Sequence, residues 1–258
     1  MTKSFLSDQC KALILGSVLG DGSLKLYQPY KNARFSFRHS VHQKDYFFWK
    51  VGQLKEISGK SDHWLQEADG YGGEKLRYQS LATESLTDLY RLTHEGGRLR
   101  IRRKWLNQLT PLSLAVWWLD DGSLIVNSRR GVFCTDPFTL EEQKLLQRYL
   151  QVVWDVHVHI AKTSRVYEGR RIEYYRLWLR SSEELQKLLR IILPHIKVAS
   201  MLPKVLLLYK NSELQQRWIS EVSILTGFSQ ALVEKYVREK KLKWKSFALE
   251  NDIVRSPW

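Results

Sequence analysis

Two stretches of the chain, ILGSVLGDG at residues 14–22 and LAVWWLDDG at residues 114–122, are almost wholly apolar until each ends in an aspartate followed by glycine. Their apolar residues form helix faces, with a serine upstream of the first, Thr110 and Pro111 upstream of the second, and glycine as the stop. Between them the period changes. Residues 34–40 alternate basic or polar side chains with Phe35 and Phe37, the period of two expected of a half-exposed strand. HQKDYFFWKVGQL (42–54) and FTLEEQKLLQRYL (138–150) carry apolar residues at three-to-four spacing and predict amphipathic helices that back the sheets. Over 220–244 two short amphipathic stretches surround Gly227, with Ser229 placed to cap the second. That is the outline of a helix-turn-helix whose second helix is basic through Lys235, Arg238, Lys240 and Lys241. The alternative is a helical pair packed on the second half.

The two apolar runs are one motif written twice. Leu19, Asp21, Gly22, Ser23 and Leu24 align with Leu119, Asp121, Gly122, Ser123 and Leu124, so the chain reads as two halves that each offer one carboxylate. Asp21 and Asp121 fall in the last turns of their helices, where unpaired carbonyls already concentrate negative charge. If the helices pack side by side, both acids converge at one end, an arrangement that is costly without a bound cation. Ligands made only of oxygen suit Mg²⁺. Asp120 and Asp121 point roughly 100° apart on a helix and so do not form a paired acid and base.

These motifs, with LTPLSLAVWWLDDGS leading into the second, the FTLEEQKLL helix after it and MLPK ending at Lys204, resemble the LAGLIDADG homing endonucleases in their single-chain form, over roughly residues 13–208. The resemblance implies an α+β fold: a pseudo-twofold repeat of αββαββα with the motif helices at the interface and two antiparallel sheets forming a saddle over DNA. It divides the chain at 1–107, 108–208 and a helical extension at 209–258. It further implies phosphodiester hydrolysis by a monomer, with Mg²⁺ or another divalent cation held by Asp21 and Asp121 and by the backbone carbonyls of Gly20 and Asp120. Lys204 matches the basic residue near the metals, and its first-half counterpart is sought in GRLRIRRK, at Arg98 or Arg100. Gly16 and Gly20 keep the small positions of the motif while the second copy has Val116 and Asp120, which predicts an asymmetric interface.

Charge sharpens the picture. The formal net charge is +14, a surplus suited to a polyanion, since neutralising phosphates and releasing counterions drives nucleic-acid binding. It is concentrated in strand-like segments. Lys25, Lys31, Arg34 and Arg38 stand among Tyr27, Gln28, Tyr30 and Asn32 in a stretch without acids; Gln66, Lys75, Arg77 and Gln79 flank a glycine-rich turn expected to be flexible at 69–73. Arg129 and Arg130 follow the second motif, and Lys162, Arg165, Arg170, Arg171, Arg176 and Arg180 fill a later segment. Such strands can lie in a major groove, reading base edges and neutralising phosphates.

Other chemistries find less support. The spacing of Gly16, Gly20 and Gly22 is no dinucleotide fingerprint, and His157 and His159 lack the further ligands of a zinc site. No run reaches the eighteen or so apolar residues of a membrane span. Two cysteines, Cys10 and Cys134, and a start without an apolar signal core lead to the expectation of an intracellular, reducing compartment. The leading expectation is a site-specific double-strand DNA endonuclease. Its alternatives are an RNA-binding intron maturase, with intron RNA as a partner, and a DNA-binding transcription regulator on the same scaffold.

Overall fold

A computed structural model describes residues 6–68, 73–125, 129–167 and 169–244; the turn expected at 69–73 lies outside these but for its last residue. The first repeat runs through α1 (Asp8–Leu19), β1 (Gly22–Lys25), β2 (Arg34–Ser40), α2 (Lys44–Gln53), β3 (His63–Gln66), β4 (Lys75–Gln79) and α3 (Glu84–Thr93). A small hairpin of β5 (His94–Glu95) and β6 (Arg98–Leu99) and the short α4 (Arg103–Leu106) lead to the second repeat. That repeat comprises α5 (Pro111–Asp121), β7 (Gly122–Ile125), β8 (Arg130–Phe133), α6 (Leu140–Trp154), β9 (His159–Tyr167), β10 (Arg170–Leu179) and α7 (Ser182–Ile192). A 3₁₀ turn (Ala199–Lys204) and helices α8 (Ser212–Thr226) and α9 (Gln230–Leu242) follow. The fold is α+β: αββαββα twice, with antiparallel sheets ordered β1-β2-β4-β3 and β7-β8-β10-β9.

Local chemistry sets the helix ends. Ser7 accepts from the Cys10 N–H at the start of α1, and Thr110 with Ser113 forms a capping box behind Pro111 at the start of α5. Both helices are apolar nearly all round, which suits only a buried position, and Leu13, Ile14, Leu15, Trp117 and Trp118 are fully buried. Each such side chain contributes about 1.5–3 kcal/mol of burial. The helices lie so close that a Cβ on Gly16 would sit 2.3 Å from the Ser113 carbonyl oxygen, and one on Gly20 2.6 Å from the Asp120 Cβ. Ser113 Oγ donates to the Ala12 carbonyl at 2.9 Å. The contact is close but asymmetric: glycines of α1 meet Ser113 and Asp120 of α5.

Strand alternation follows the pattern in the residues. Phe35, Phe37 and His39 are buried while Arg34 and Arg38 are exposed; α2 and α3 pack on the first sheet, α6 and α7 on the second. One core runs through both repeats. Gly227 ends α8 with φ +80, and Ser229 caps α9, so the helix-turn-helix outline of 220–244 is met by two helices. Two helices agree equally with a helical pair packed on the second half; Val233, Val237 and the Lys240 ammonium turn inward, which leaves a narrower basic face than the four cations of the pattern suggested. Among the described residues no helix is long and apolar enough to cross a membrane.

Candidate active site and nucleic-acid interface

The acids gather where α1 and α5 end. α1 stops two residues earlier than α5, with Gly20 as its C-cap, so Asp21 stands in the turn beyond the helix and not in its last turn, while Asp121 closes α5. Asp21 is 40% exposed, and the Asp120 side chain is wholly buried. His39 lies between them, Nδ1 at 3.4 Å from Asp21 Oδ2 and Nε2 at 3.8 Å from Asp120 Oδ1. Asp120 also accepts from the Tyr46 hydroxyl at 2.9 Å and from the Lys50 ammonium at 3.0 and 3.2 Å. Lys204 Nζ donates to the carbonyls of Leu119 at 2.5 Å and Asp120 at 3.2 Å, the negative end of α5.

The electrostatics differ between the two motif acids. Burial raises Asp21, but the hydrogen bond and charge of His39, with Lys50 and Lys204, outweigh it and hold the carboxyl below its ordinary range. Asp121 is pushed up to about 7 by burial, then by the charges of Asp21 and Asp120, with Lys204 opposing. Burial pulls Lys204 down against the three aspartates. A carboxylate raised by its acidic neighbours marks a place that added positive charge would relieve, and Asp21, His39 and Asp120 offer ligand atoms within 4.8 Å of one another.

Several expectations change in three dimensions. The Asp120 carbonyl, expected beside the metal, accepts from Lys204, and the Asp120 side chain accepts from Tyr46 and Lys50. Gly20 lies at the tight helix contact, against Asp120 Cβ. Arg98 sits on the β5–β6 hairpin opposite Glu95, and Arg100 lies 3.9 Å from Glu142, so neither joins the acids. The first-half cation at the centre is Lys50, and its signal was present: Tyr46, Phe47 and Lys50 share the buried stripe of α2. His39 was signalled likewise, by its place on the apolar register of β2. Neither was a candidate in the sequence.

Outward from the acids, the first sheet presents polar rows. The register aligns Ser23, Ser36 and Gln79; Lys25 and Arg34; Arg38, Arg77 and Trp64; Ser40, Lys75 and Gln66. The Arg77 guanidinium lies over the Trp64 ring at 5.6 Å. A cleft of about 290 Å³ is lined by Asp21, Ser23, Lys25, Ser36, Arg38 and Arg77, and a hollow of about 140 Å³ by Tyr27, Tyr30, Asn32, Arg34 and Gln79. Gln28 and Lys31 are exposed beside it. The second sheet divides its cations. Arg130, Arg165, Arg170 and Arg176 share the face of Ser123, whereas Lys162 and Arg171 lie on the opposite one. Lys162 pairs there with Glu173. Arg176 is held bidentately by Asp136 at 2.6 and 2.9 Å, and Arg129 and Arg180 flank the strands in exposed positions.

A family model described as the LAGLIDADG DNA endonuclease family matches residues 11–185, well over half of the chain. RecA of Mycobacterium gastri is 31% identical over 171 residues, covering 61% of this chain and 39% of that protein; the chain thus spans under half the length of that relative. The DNA endonuclease I-ChuI of Chlamydomonas applanata is 25% identical over 183 residues, 64% of this chain and 81% of its own. Among solved structures, the homing endonuclease I-WcaI bound to its DNA recognition sequence superposes with a TM-score of 0.66 at 18% identity, covering 80% of this chain and 89% of that one. That last likeness speaks for the fold.

Proposed function

We propose that this chain, which belongs to the LAGLIDADG DNA endonuclease family, is a site-specific endonuclease that hydrolyses both strands of a long double-stranded DNA target with a divalent cation. The observation that carries the reading is the electrostatic coupling of one acid from each repeat, Asp121 being raised by burial and then by the charge of Asp21, with Asp21 on the wall of a basic cleft. The donor set fits a hard divalent ion: two carboxylates, one of them, Asp121, destabilised as an anion that added positive charge would relieve. Asp21 and Asp121 would hold it. Bound there, it would supply Lewis acidity toward a phosphoryl oxygen and a lowered pKa for water.

The remaining work falls to the chain itself. Lys25, Arg34, Arg38 and Arg77 draw the phosphate backbone across the first sheet, and Arg130, Arg165 and Arg170 do so on the second. Hydrolysis adds water across one P–O bond of each strand, and charge grows on the phosphoryl oxygens as it does so. Lys204, at the carbonyl end of α5, lies close enough to the acids for its charge to be felt there, and so offsets that growth. His39 fixes the orientation of Asp21 and lowers its proton affinity.

The test is a supercoiled plasmid library incubated with the purified chain, with and without Mg²⁺. Linear product that needs Mg²⁺ and vanishes in Asp21→Asn and Asp121→Asn is expected. Binding without cutting would turn the reading toward a DNA-binding regulator, and faster splicing of intron RNA without DNA cleavage toward a maturase.

A further inference from the structure

Residues 203–207 leave the 3₁₀ turn with carbonyls that no helix or strand absorbs, and buried carbonyls require donors. Each is met by a side chain. Pro203 O accepts from Lys240 Nζ at 2.5 Å, Lys204 O from Trp118 Nε1 at 2.8 Å, and Val205 O from Trp218 Nε1 at 3.3 Å. Leu206 O accepts from Lys240 Nζ at 2.8 Å and Leu207 O from Gln215 Nε2 at 3.1 Å. Four of these five contacts come from α8 and α9. A lysine suits the double contact because its ammonium carries three donors at the end of a flexible stem.

From this geometry we infer that α8 and α9 form a clamp on residues 203–207, with Lys240 as a positioning residue that holds the Lys204 ammonium against the Leu119 and Asp120 carbonyls beside the two motif acids. The two carbonyls bound by Lys240 flank Lys204, one position before it and two after, so releasing them frees the backbone on both sides of the inserted side chain. The cation at the core of α9 is thereby committed to this protein's own backbone, and α9 serves the reaction centre from behind in place of reading DNA with that residue. The inference rests on Asp21 and Asp121 being the reaction centre for its kinetic consequence, though not for its structural one.

Lys240→Met keeps the length of the stem and removes the donors. It is compared with Val237→Ala, which loosens the same helix without touching the carbonyls, and with Lys240→Arg, which restores donors. Two readouts are taken on the full chain. The first is acetylation of Lys204 by an N-hydroxysuccinimide ester, followed by mass spectrometry, and it needs no DNA. Lys240→Met is expected to raise that rate about fivefold or more, Val237→Ala to leave it within about twofold, and Lys240→Arg to fall back toward the parent. The second is cleavage of a plasmid site selected from a randomised library with Mg²⁺. Here kcat is expected to fall about tenfold in Lys240→Met with the Kd for DNA unchanged, and to recover in Lys240→Arg. An acetylation rate unmoved in Lys240→Met, or raised as much in Val237→Ala at equal loss of Tm, overturns the clamp. If Lys204 responds as expected while no variant, the parent included, cuts DNA, the clamp stands and the nuclease reading falls.

Discussion

Set side by side, the two repeats share a plan and divide the chemistry. Phe37 of β2 corresponds to Phe133 of β8, since each pairs with the glycine after its motif acid. Two residues on, His39 faces Asp21 in the first half, whereas the second half has Thr135, turned to Gln143 at 2.8 Å. The buried stripe of α2 reads Tyr46, Phe47, Lys50; that of α6 repeats the spacing as Glu142, Gln143, Leu146. Lys204 inserts at the acids, while Lys104, its counterpart by position, is exposed. The first half therefore supplies His39 and Lys50, the second supplies Lys204 and the extra carboxylate of Asp120, and the centre is complete only across the interface. The lesson is that a doubled motif need not mean a doubled site: the acids are repeated, but their electrostatic settings are not, and Asp21 is lowered where Asp121 rises to about 7.

The sheets repeat the contrast. Next to the acid the first sheet places Ser23, Ser36 and Gln79, followed by Lys25 and Arg34; the second places Ser123, Val132 and Trp178 there, followed by Ile125 and Arg130. Cations of the second sheet sit farther out on the long β9–β10 hairpin.

The largest expected effect tests whether the electrostatic asymmetry matters to the reaction. Asp21→Asn and Asp121→Asn should each lower cleavage of a plasmid target by roughly a hundredfold or more, the scale of removing a group that manages charge in the transition state. A variant that still nicks one strand would show that each acid serves its own strand.

Next comes the ion pair that joins the halves. Lys50→Met leaves Asp120 buried without its cation and is expected to cost about 3–5 kcal/mol in urea unfolding. Lys50→Met combined with Asp120→Leu should recover most of that loss, because the uncompensated charge is then gone.

DNA binding ranks the sheets. Arg38→Ala and Arg77→Ala are each expected to weaken binding by about 1–3 kcal/mol if they reach bases, or to flatten the salt dependence by about one phosphate each. Lys162→Ala and Arg171→Ala, on the opposite face, should change either quantity far less. Fluorescence anisotropy across a salt series reads both.

The smallest effect concerns pH and the second half alone. Burial pulls Lys240 down to about 7, below its value of about 10.4 in the unfolded chain. The folded state sheds this proton first, so above pH 7 the unfolded chain binds more protons and this contribution to stability rises with pH. Cys10, raised by burial, acts in the opposite sense above about 8.5, where unfolded thiols ionise. The difference in unfolding free energy between the parent and Lys240→Met isolates the lysine. It should grow in the parent's favour by under ~2 kcal/mol from pH 7 to 8.5.

Much of this molecule was readable from residues alone. The twofold acid, the strand alternation at Arg34–Ser40, the helices over 42–54 and 138–150 and the cap at Ser229 are local patterns, and each is governed by neighbours within a turn or two. Arg98 was sought as the first-half cation from its place before the linker between the repeats, and place along the chain says nothing about proximity to Asp21. The six cations of 162–180 looked alike until register separated Lys162 and Arg171 from Arg165, Arg170 and Arg176. Lys240, one of the four cations that made the second C-terminal helix look basic, proved to be an internal donor.

By itself the amino-acid sequence determined that there would be two apolar helices, each ending beside one acid, and two alternating sheets rich in positive charge, because periodicity and capping act over a few residues. Only the tertiary structure decided that Lys50 of one repeat would neutralise Asp120 of the other, that His39 would stand beside Asp21 while Thr135, at the matching place of the second repeat, turns to Gln143, and that the C-terminal helices would grip the strand of chain carrying Lys204. Coulombic and hydrogen-bond energies depend on separations of a few ångströms and on exclusion of water, and those are set by how elements well separated along the chain, 70 residues apart for Lys50 and Asp120, come to rest against one another.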